Sequence, residues 1–348
     1  MRKFSIDKFK SWAKRVTIAS AIFLVIVSVL GVVLYRDRAT LDEIDWPPYP
    51  DIAPSLDAVT MTWLGVTTLL FDDGETQILI DGFFSRPSLL DVALGRPVES
   101  NAATINYVLD KYRMRRLAAI IPVHSHYDHA MDVGAIANRT SASILGSSST
   151  AQIARGAGVP EDQIVEVSNG GVYSFGQFTV TMIDSNHAPI AWGGSVPYAG
   201  TIDEPLITPA PVSAWREGKS YSIVVAHPYG TTLVQGSAGF VPGALDGIEA
   251  DIVMLGVSLI EGLGRDYVEQ YWQNLVTTTG AAHVFAFHFD DFLQPFGEIV
   301  LYPRALENFI DTARWLEEIG ARWDTDTKLH LPEFGKAVVL YPQTAPEA

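Results

Sequence analysis

The chain has 348 residues, 48% of them hydrophobic and 18% charged, which is enough apolar material for a large core and too little charge for disorder. Its formal charge is −16, and because the first 38 residues hold eight basic and two acidic groups, the remainder carries −22. That balance argues against nucleic-acid binding, which needs a basic footprint, and the absence of cysteine removes disulfides, thiolate ligands and cysteine nucleophiles.

Residues 1–15 form a basic N-terminus with Arg2, Lys3, Lys8, Lys10, Lys14 and Arg15. Residues 16–35 are uncharged and rich in Ile, Val and Leu. At a rise of about 1.5 Å per residue they match the ~30 Å of a bilayer core and predict a transmembrane helix. Only Arg36 and Arg38 follow closely, so the charge bias leaves the N-terminus cytoplasmic and exports the rest to the periplasmic or extracellular side. The stretch is longer than an ordinary signal-peptide core, and no small-x-small cleavage motif follows. An uncleaved anchor is therefore preferred over a cleaved signal. Residues 36–56, with Trp46-Pro47-Pro48-Tyr49-Pro50, read as a stiff linker. Residues 57–345 remain as one domain.

Within that domain, strands are expected over 62–65, 67–70 and 78–81, with Asp72-Asp73-Gly74 as a hairpin turn. The apolar run 117–123 predicts a buried strand ending in His124-Ser125-His126-Tyr127-Asp128-His129, which leads into a helix. Further strands are expected at 222–225 and 231–236, around a turn holding His227, and helices at 265–279 and 304–319. The two βα halves are expected to join near residue 190.

Three imidazoles and a carboxylate within six residues at a strand's C-terminal end make a metal site, because these are donors that zinc, manganese and iron(II) accept. His124 and His126 share one side of an extended segment, while Asp128 and His129 begin the following turn. The pattern H-x-H-x-D-H resembles the signature of the metallo-β-lactamase-fold metallo-hydrolases, and the resemblance runs over about residues 57–342. It implies an α/β, four-layer αβ/βα sandwich preceded here by one transmembrane helix. It also implies one or two zinc ions per chain, the first held by His124, His126 and His187, the second by Asp128, His129 and His288. One departure stands out: the family's bridging aspartate is replaced by Ser237. A hydroxyl is a poor zinc ligand, so the site is mononuclear, or Asp290 or Asp291 supplies the carboxylate, or surplus positive charge awaits an anionic substrate group. Asp290 and Asp291 have equal claims as outer-sphere or helix-capping groups.

The resemblance implies hydrolysis by a metal-activated hydroxide that Asp128 orients. Tyr127 is a candidate oxyanion donor, with packing of its ring beneath the loop as the plainer role. Asp132 and Asp81 are candidate partners of the ligand imidazoles, with helix-turn and strand-turn roles as alternatives. His227, His283 and His330 are read as structural, His330 as having no acidic or histidine neighbour. Ser237 lacks the glycine-x-serine-x-glycine spacing of a serine nucleophile. The proline- and aromatic-rich segment 188–220, with Trp192, Tyr198 and Trp215, is expected to wall the substrate pocket or simply to cover core.

The segment, the anchor and a similarity to the branch containing N-acyl-phosphatidylethanolamine phospholipase D and the ascorbate-phosphate lactonases suggest an amphiphilic or lipid-like substrate. The expected activity is hydrolysis of an ester, lactone or phosphodiester. Alternatives are a phospholipase D-like phosphodiesterase and a metal-binding protein without catalysis. No nucleic-acid partner is expected, and the oligomeric state is left open.

Overall fold

The computed structural model describes residues 6–55 and 58–341. Arg2 and Lys3, linker residue 56, and the ends of the expected domain at residues 57 and 342–345 lie outside the described residues. One helix, α1 (Ile6–Arg36), precedes the domain, and its stretch from Phe9 to Arg36 is long and apolar enough to cross a membrane, with none of the most apolar window buried.

The first sheet takes β1 (Thr60–Trp63), β2 (Leu69–Asp72), β3 (Gln77–Ile80), β4 (Leu117–Ile121), β5 (Ser143–Gly146) and β6 (Ile164–Glu166). The second takes β7 (Gly171–Phe175), β8 (Phe178–Ser185), β9 (Ser220–His227), β10 (Gly230–Gln235), β11 (Ile252–Gly256), β12 (His283–Phe287) and β13 (Lys328–His330). The last strand, β14 (Ala337–Val339), returns to the first sheet beside β1, giving two seven-stranded sheets in the orders 14-1-2-3-4-5-6 and 13-12-11-10-9-8-7. The chain therefore changes sheet between Glu166 and Gly171, not near residue 190. The β7–β8 hairpin pairs with β9 and so belongs wholly to the second half.

Period-two alternation builds the layers. On β3 and β4, Ile78, Ile80, Ala119 and Ile121 face the core between the sheets, while Leu79 and Ile120 face outward. The outward face is covered by α3 (Ala102–Lys111), α5 (Val133–Thr140) and α6 (Ser148–Gly156), through Ile105, Val108, Ile136, Ile153 and Ala154. Buried on both faces, these parallel strands need the near-continuous apolar composition that marked residues 117–123. On the second sheet, α7 (Arg265–Trp272) and α8 (Phe309–Trp323) supply Val268, Tyr271, Leu316 and Ile319. The result is the expected four-layer αβ/βα sandwich. Two short helices, α2 (Leu89–Ala93) and α4 (Tyr127–Ala130), lie in connections of the first half.

Two expectations need correction. The helix foreseen at 304–319 begins at Phe309, because Arg304 is held by Asp37 and Glu43 and Glu307 is drawn into the interior. The supposed linker is not a free spacer. Arg38 pairs with Asp291 at 2.8 Å, the Pro47 carbonyl lies 2.8 Å from His330 Nδ1, and Tyr49 is buried, its hydroxyl donating to the Leu340 carbonyl at 2.6 Å.

Candidate metal centre

Every expected ligand sits just past the C-terminal end of a strand: residues 124–129 after β4, His187 after β8 and His288 after β12. Alternation after β4 works as the sequence suggested. Ser125 turns away to hydrogen-bond Ser147 and Thr150, leaving His124 and His126 on the other side. His126 is the extended residue preceding α4, which places Asp128 and His129 in the helix's first turn. His288 is held in the left-handed region, at φ 61°, by its N–H donating to the Val66 carbonyl at 3.1 Å. Asp81 and Ala238 share that unfavourable conformation at φ 58° and 54°, so strain is concentrated around one site.

The side chains close into two triads, His124/His126/His187 and Asp128/His129/His288, with the donor atoms of each within 4.8 Å of one another. The triads abut, since the His124 and His129 ring centroids are 4.0 Å apart. In the first triad His124 Nε2 and His126 Nδ1 approach to 2.8 Å. The outward nitrogens are separately held: His126 Nε2 by the Pro197 carbonyl at 2.8 Å and His187 Nδ1 by the Ala188 carbonyl at 2.7 Å. Burial holds these imidazoles neutral. His126 is pushed down to about 3 and His124 and His187 also lie below their ordinary value. Neutral, buried, converging imidazoles are what a divalent cation requires, and the donor set fits one.

The second triad differs. Burial opposes charge on His129, but Asp128 and Asp81 outweigh it and raise the imidazole to about 10. His129 Nδ1 faces Asp81 Oδ2 at 2.7 Å and its Nε2 faces Asp128 Oδ2 at 3.4 Å. The metal-free second triad therefore carries a proton at neutral pH that a cation must displace. Titration of the metal-free protein should release about one proton at this site, with apparent affinity rising ~10-fold per pH unit between 7 and 10. Calorimetry in buffers of different ionisation enthalpy measures this, and the absence of proton uptake by the buffer would refute it.

Asp81, one of the two candidate imidazole partners, lies against His129: fully buried, it also accepts from the Val123 N–H at 2.8 Å and from the Thr67 hydroxyl. Ser237 Oγ lies 2.8 Å from His124 Nδ1, the ring nitrogen turned away from His126. It steers a ligand ring from behind where the family pattern would bridge from the front. Ser237→Ala should lower affinity for the first metal about 10-fold, read by competition with a chromogenic chelator. Unchanged affinity would remove this role.

Other candidates are placed elsewhere. Asp290 accepts from the Val66 N–H at 2.8 Å and faces the buried Arg86 at 3.7 Å, and Asp291 pairs with Arg38, so neither folds back to supply the missing carboxylate. Asp132 is committed to the Phe84 and Ser85 N–H groups at 2.8 and 2.6 Å rather than to an imidazole. Tyr127 packs edge-on to Phe83 and Phe292 and also lines the cavity. That cavity, about 500 Å³, opens over both triads and is walled by apolar side chains including Val92, Ile190, Leu259 and Leu306. Of the three pocket aromatics expected, only Tyr198 lines it. Trp215 is fully buried in the outer core of the first sheet, and Trp192 is 99% exposed. His330 is not isolated: β12–β13 pairing puts its Nε2 3.0 Å from His283 Nδ1. Arg86 was missed by sequence reasoning, its only signal being a charge six residues past an apolar strand.

The sandwich topology and the ligand loop at its strand ends decide the architecture. The chain has the metallo-β-lactamase fold. The crystal structure of a possible metal-dependent hydrolase from Veillonella parvula shares the fold at 15% identity and a TM-score of 0.50, over 81% of this chain and all of that one. The metallo-β-lactamase fold protein YhfI of Bacillus subtilis aligns over 81% of this chain and all of its own, at 13% identity and a TM-score of 0.47. In sequence, a UPF0173 metal-dependent hydrolase of Roseiflexus sp. is 28% identical over 130 residues, 37% of this chain and 48% of the relative. One of Agrobacterium fabrum is 29% identical over 130 residues, 37% of this chain and 47% of the relative. The chain thus spans about half the length of the curated relatives it matches. No family model matches it.

Proposed function

We propose that this chain is a zinc-dependent hydrolase of an ester, lactone or phosphodiester, tethered by α1 with its domain on the extracytoplasmic side. The observation carrying the reading is the convergence of five imidazoles and Asp128 into two adjoining triads at the floor of an apolar cavity. A bound divalent cation supplies Lewis acidity and a water acidified toward neutral pH. The protein's own groups do the rest. Burial would raise Asp128, but His129 outweighs it and keeps the carboxylate below its ordinary range, ionised and able to orient a nucleophile and take its proton. Burial, reinforced by Asp128, keeps the Tyr127 phenol protonated beside the cavity, a donor for charge developing on the substrate. The apolar walls exclude water and favour an acyl or alkyl portion. The curated relatives' name, metal-dependent hydrolase, and the basic residues before the uncharged stretch 16–35 support the reading.

Elemental analysis of the purified protein, with chromogenic carboxylic ester, lactone and phosphodiester substrates assayed side by side, tests this. Turnover of one class that chelators abolish is the expected result. Because Ser237 stands where the bridging carboxylate would be, a metal-filled protein inert on all three would instead support a metal-binding protein without catalysis.

A further inference from the structure

We infer that the mouth of the cavity is held against the bilayer that carries α1, so that the substrate is an amphiphile taken up directly from that membrane. This rests on the anchored-hydrolase reading above. The last turn of α1 and the two residues that follow it are fastened to one wall of the cavity. Gln294 Nε2 donates to the Tyr35 hydroxyl at 3.2 Å, the Arg304 N–H donates to the Asp37 carbonyl at 2.8 Å, and Arg38 pairs with Asp291. All three partners belong to the segment that starts at His288 and contributes Phe292, Leu293 and Leu306 to the cavity. Leu293 adjoins Gln294, so the C-terminal end of α1 lies within a residue or two of the cavity wall.

The segments around the mouth also present apolar side chains to solvent. Leu306 is 68% exposed; Leu90 and Leu94, flanking the wall residue Val92, are 57% and 59% exposed; Trp192, two residues past the wall residue Ile190, is 99% exposed. Scattered singly, such residues mean little; carried by three segments that each line one opening beside a membrane helix, they suit a surface that meets lipid. Tryptophan favours the headgroup region, where its ring is buried and its N–H stays wet. The fold thus accounts for Trp192, which forms no wall, as a contact with the membrane interface.

Because the chain has no cysteine, single-site labelling of the 348-residue chain tests this. Leu306→Cys, Leu90→Cys and, as a control, Thr278→Cys are labelled with an environment-sensitive fluorophore and reconstituted into phosphatidylcholine vesicles with or without spin-labelled lipid. Thr278 is exposed near the start of β12, at the end of the sheet opposite His288. Labels at 306 and 90 should lose about half their emission to the quencher lipid, as for groups ~5–10 Å below the surface, and the label at 278 almost none. Protein that floats with the vesicles but shows no quenching at 306 and 90 overturns the inference alone. A blue shift that depends on protein concentration rather than quencher lipid also overturns it, in favour of a second copy covering the rim. Protein that fails to float overturns the anchor as well. Trp192→Ser should raise KM for a vesicle-embedded long-chain ester severalfold while sparing a soluble short-chain one. An equal effect on both would refute uptake from the membrane, and turnover of neither by the unmodified chain would count against the hydrolase reading rather than the labelling result.

Discussion

His126→Ala is expected to leave a folded protein that neither retains its first metal nor turns over substrate. His126 stands before α4 on an extended residue, its Nδ1 2.8 Å from His124 Nε2 and its other nitrogen fixed by Pro197. Truncation leaves two imidazoles, and the loss in metal affinity should exceed the ~10–100-fold that removal of a ligand's supporting partner costs. Activity should fall in parallel. Metal content by elemental analysis and turnover on the responsive chromogenic substrate are read on the same sample, with circular dichroism as the check on folding. Full turnover with unchanged metal content would end the assignment of the first triad.

Asp81 should have the largest effect among groups that do not touch metal. It is fully buried in the left-handed region at φ 58°, accepting from His129, Thr67 and Val123. Alanine would leave buried donors unpaired at ~1–3 kcal/mol each and would strain a backbone that aspartate and asparagine tolerate better, so Asp81→Ala should cost at least ~3 kcal/mol in denaturant unfolding. Asp81→Asn keeps the shape and the backbone tolerance, sets one amide NH2 against a buried donor that the carboxylate satisfied, and removes one of the two carboxylates sustaining charge on His129. It should lower second-metal affinity ~10–100-fold and shrink the proton release on binding. If Asn matched the parent in both, Asp81 would be a structural acceptor only.

Local features of the site were legible because the chemistry and the geometry reside in the same few residues. The run at β4 is apolar because both faces are covered, and alternation alone separates Ser125 from His124 and His126. His187 and His288 needed the family resemblance, since nothing near either in sequence marks it as a ligand. Where the reading failed, the deciding contact came from a distant segment. Asp132 is claimed by the Phe84 and Ser85 amides, Asp291 by Arg38 from the supposed linker, and His330 meets His283 only through the register of β12 with β13. Trp192 and Trp215 lie in the same proline-rich stretch, yet one is bare and the other wholly enclosed. Composition reports that a ring must be accommodated, not on which side.

The position of β14 bears on biosynthesis. Because Val339 pairs with Thr60, the β1 edge of the first sheet stays open until residues 337–339, almost 280 positions later, have emerged. Such distant closure slows folding and leaves an adhesive border exposed to neighbouring nascent chains. Premature termination before Ala337 should therefore yield insoluble material rather than a shortened folded domain.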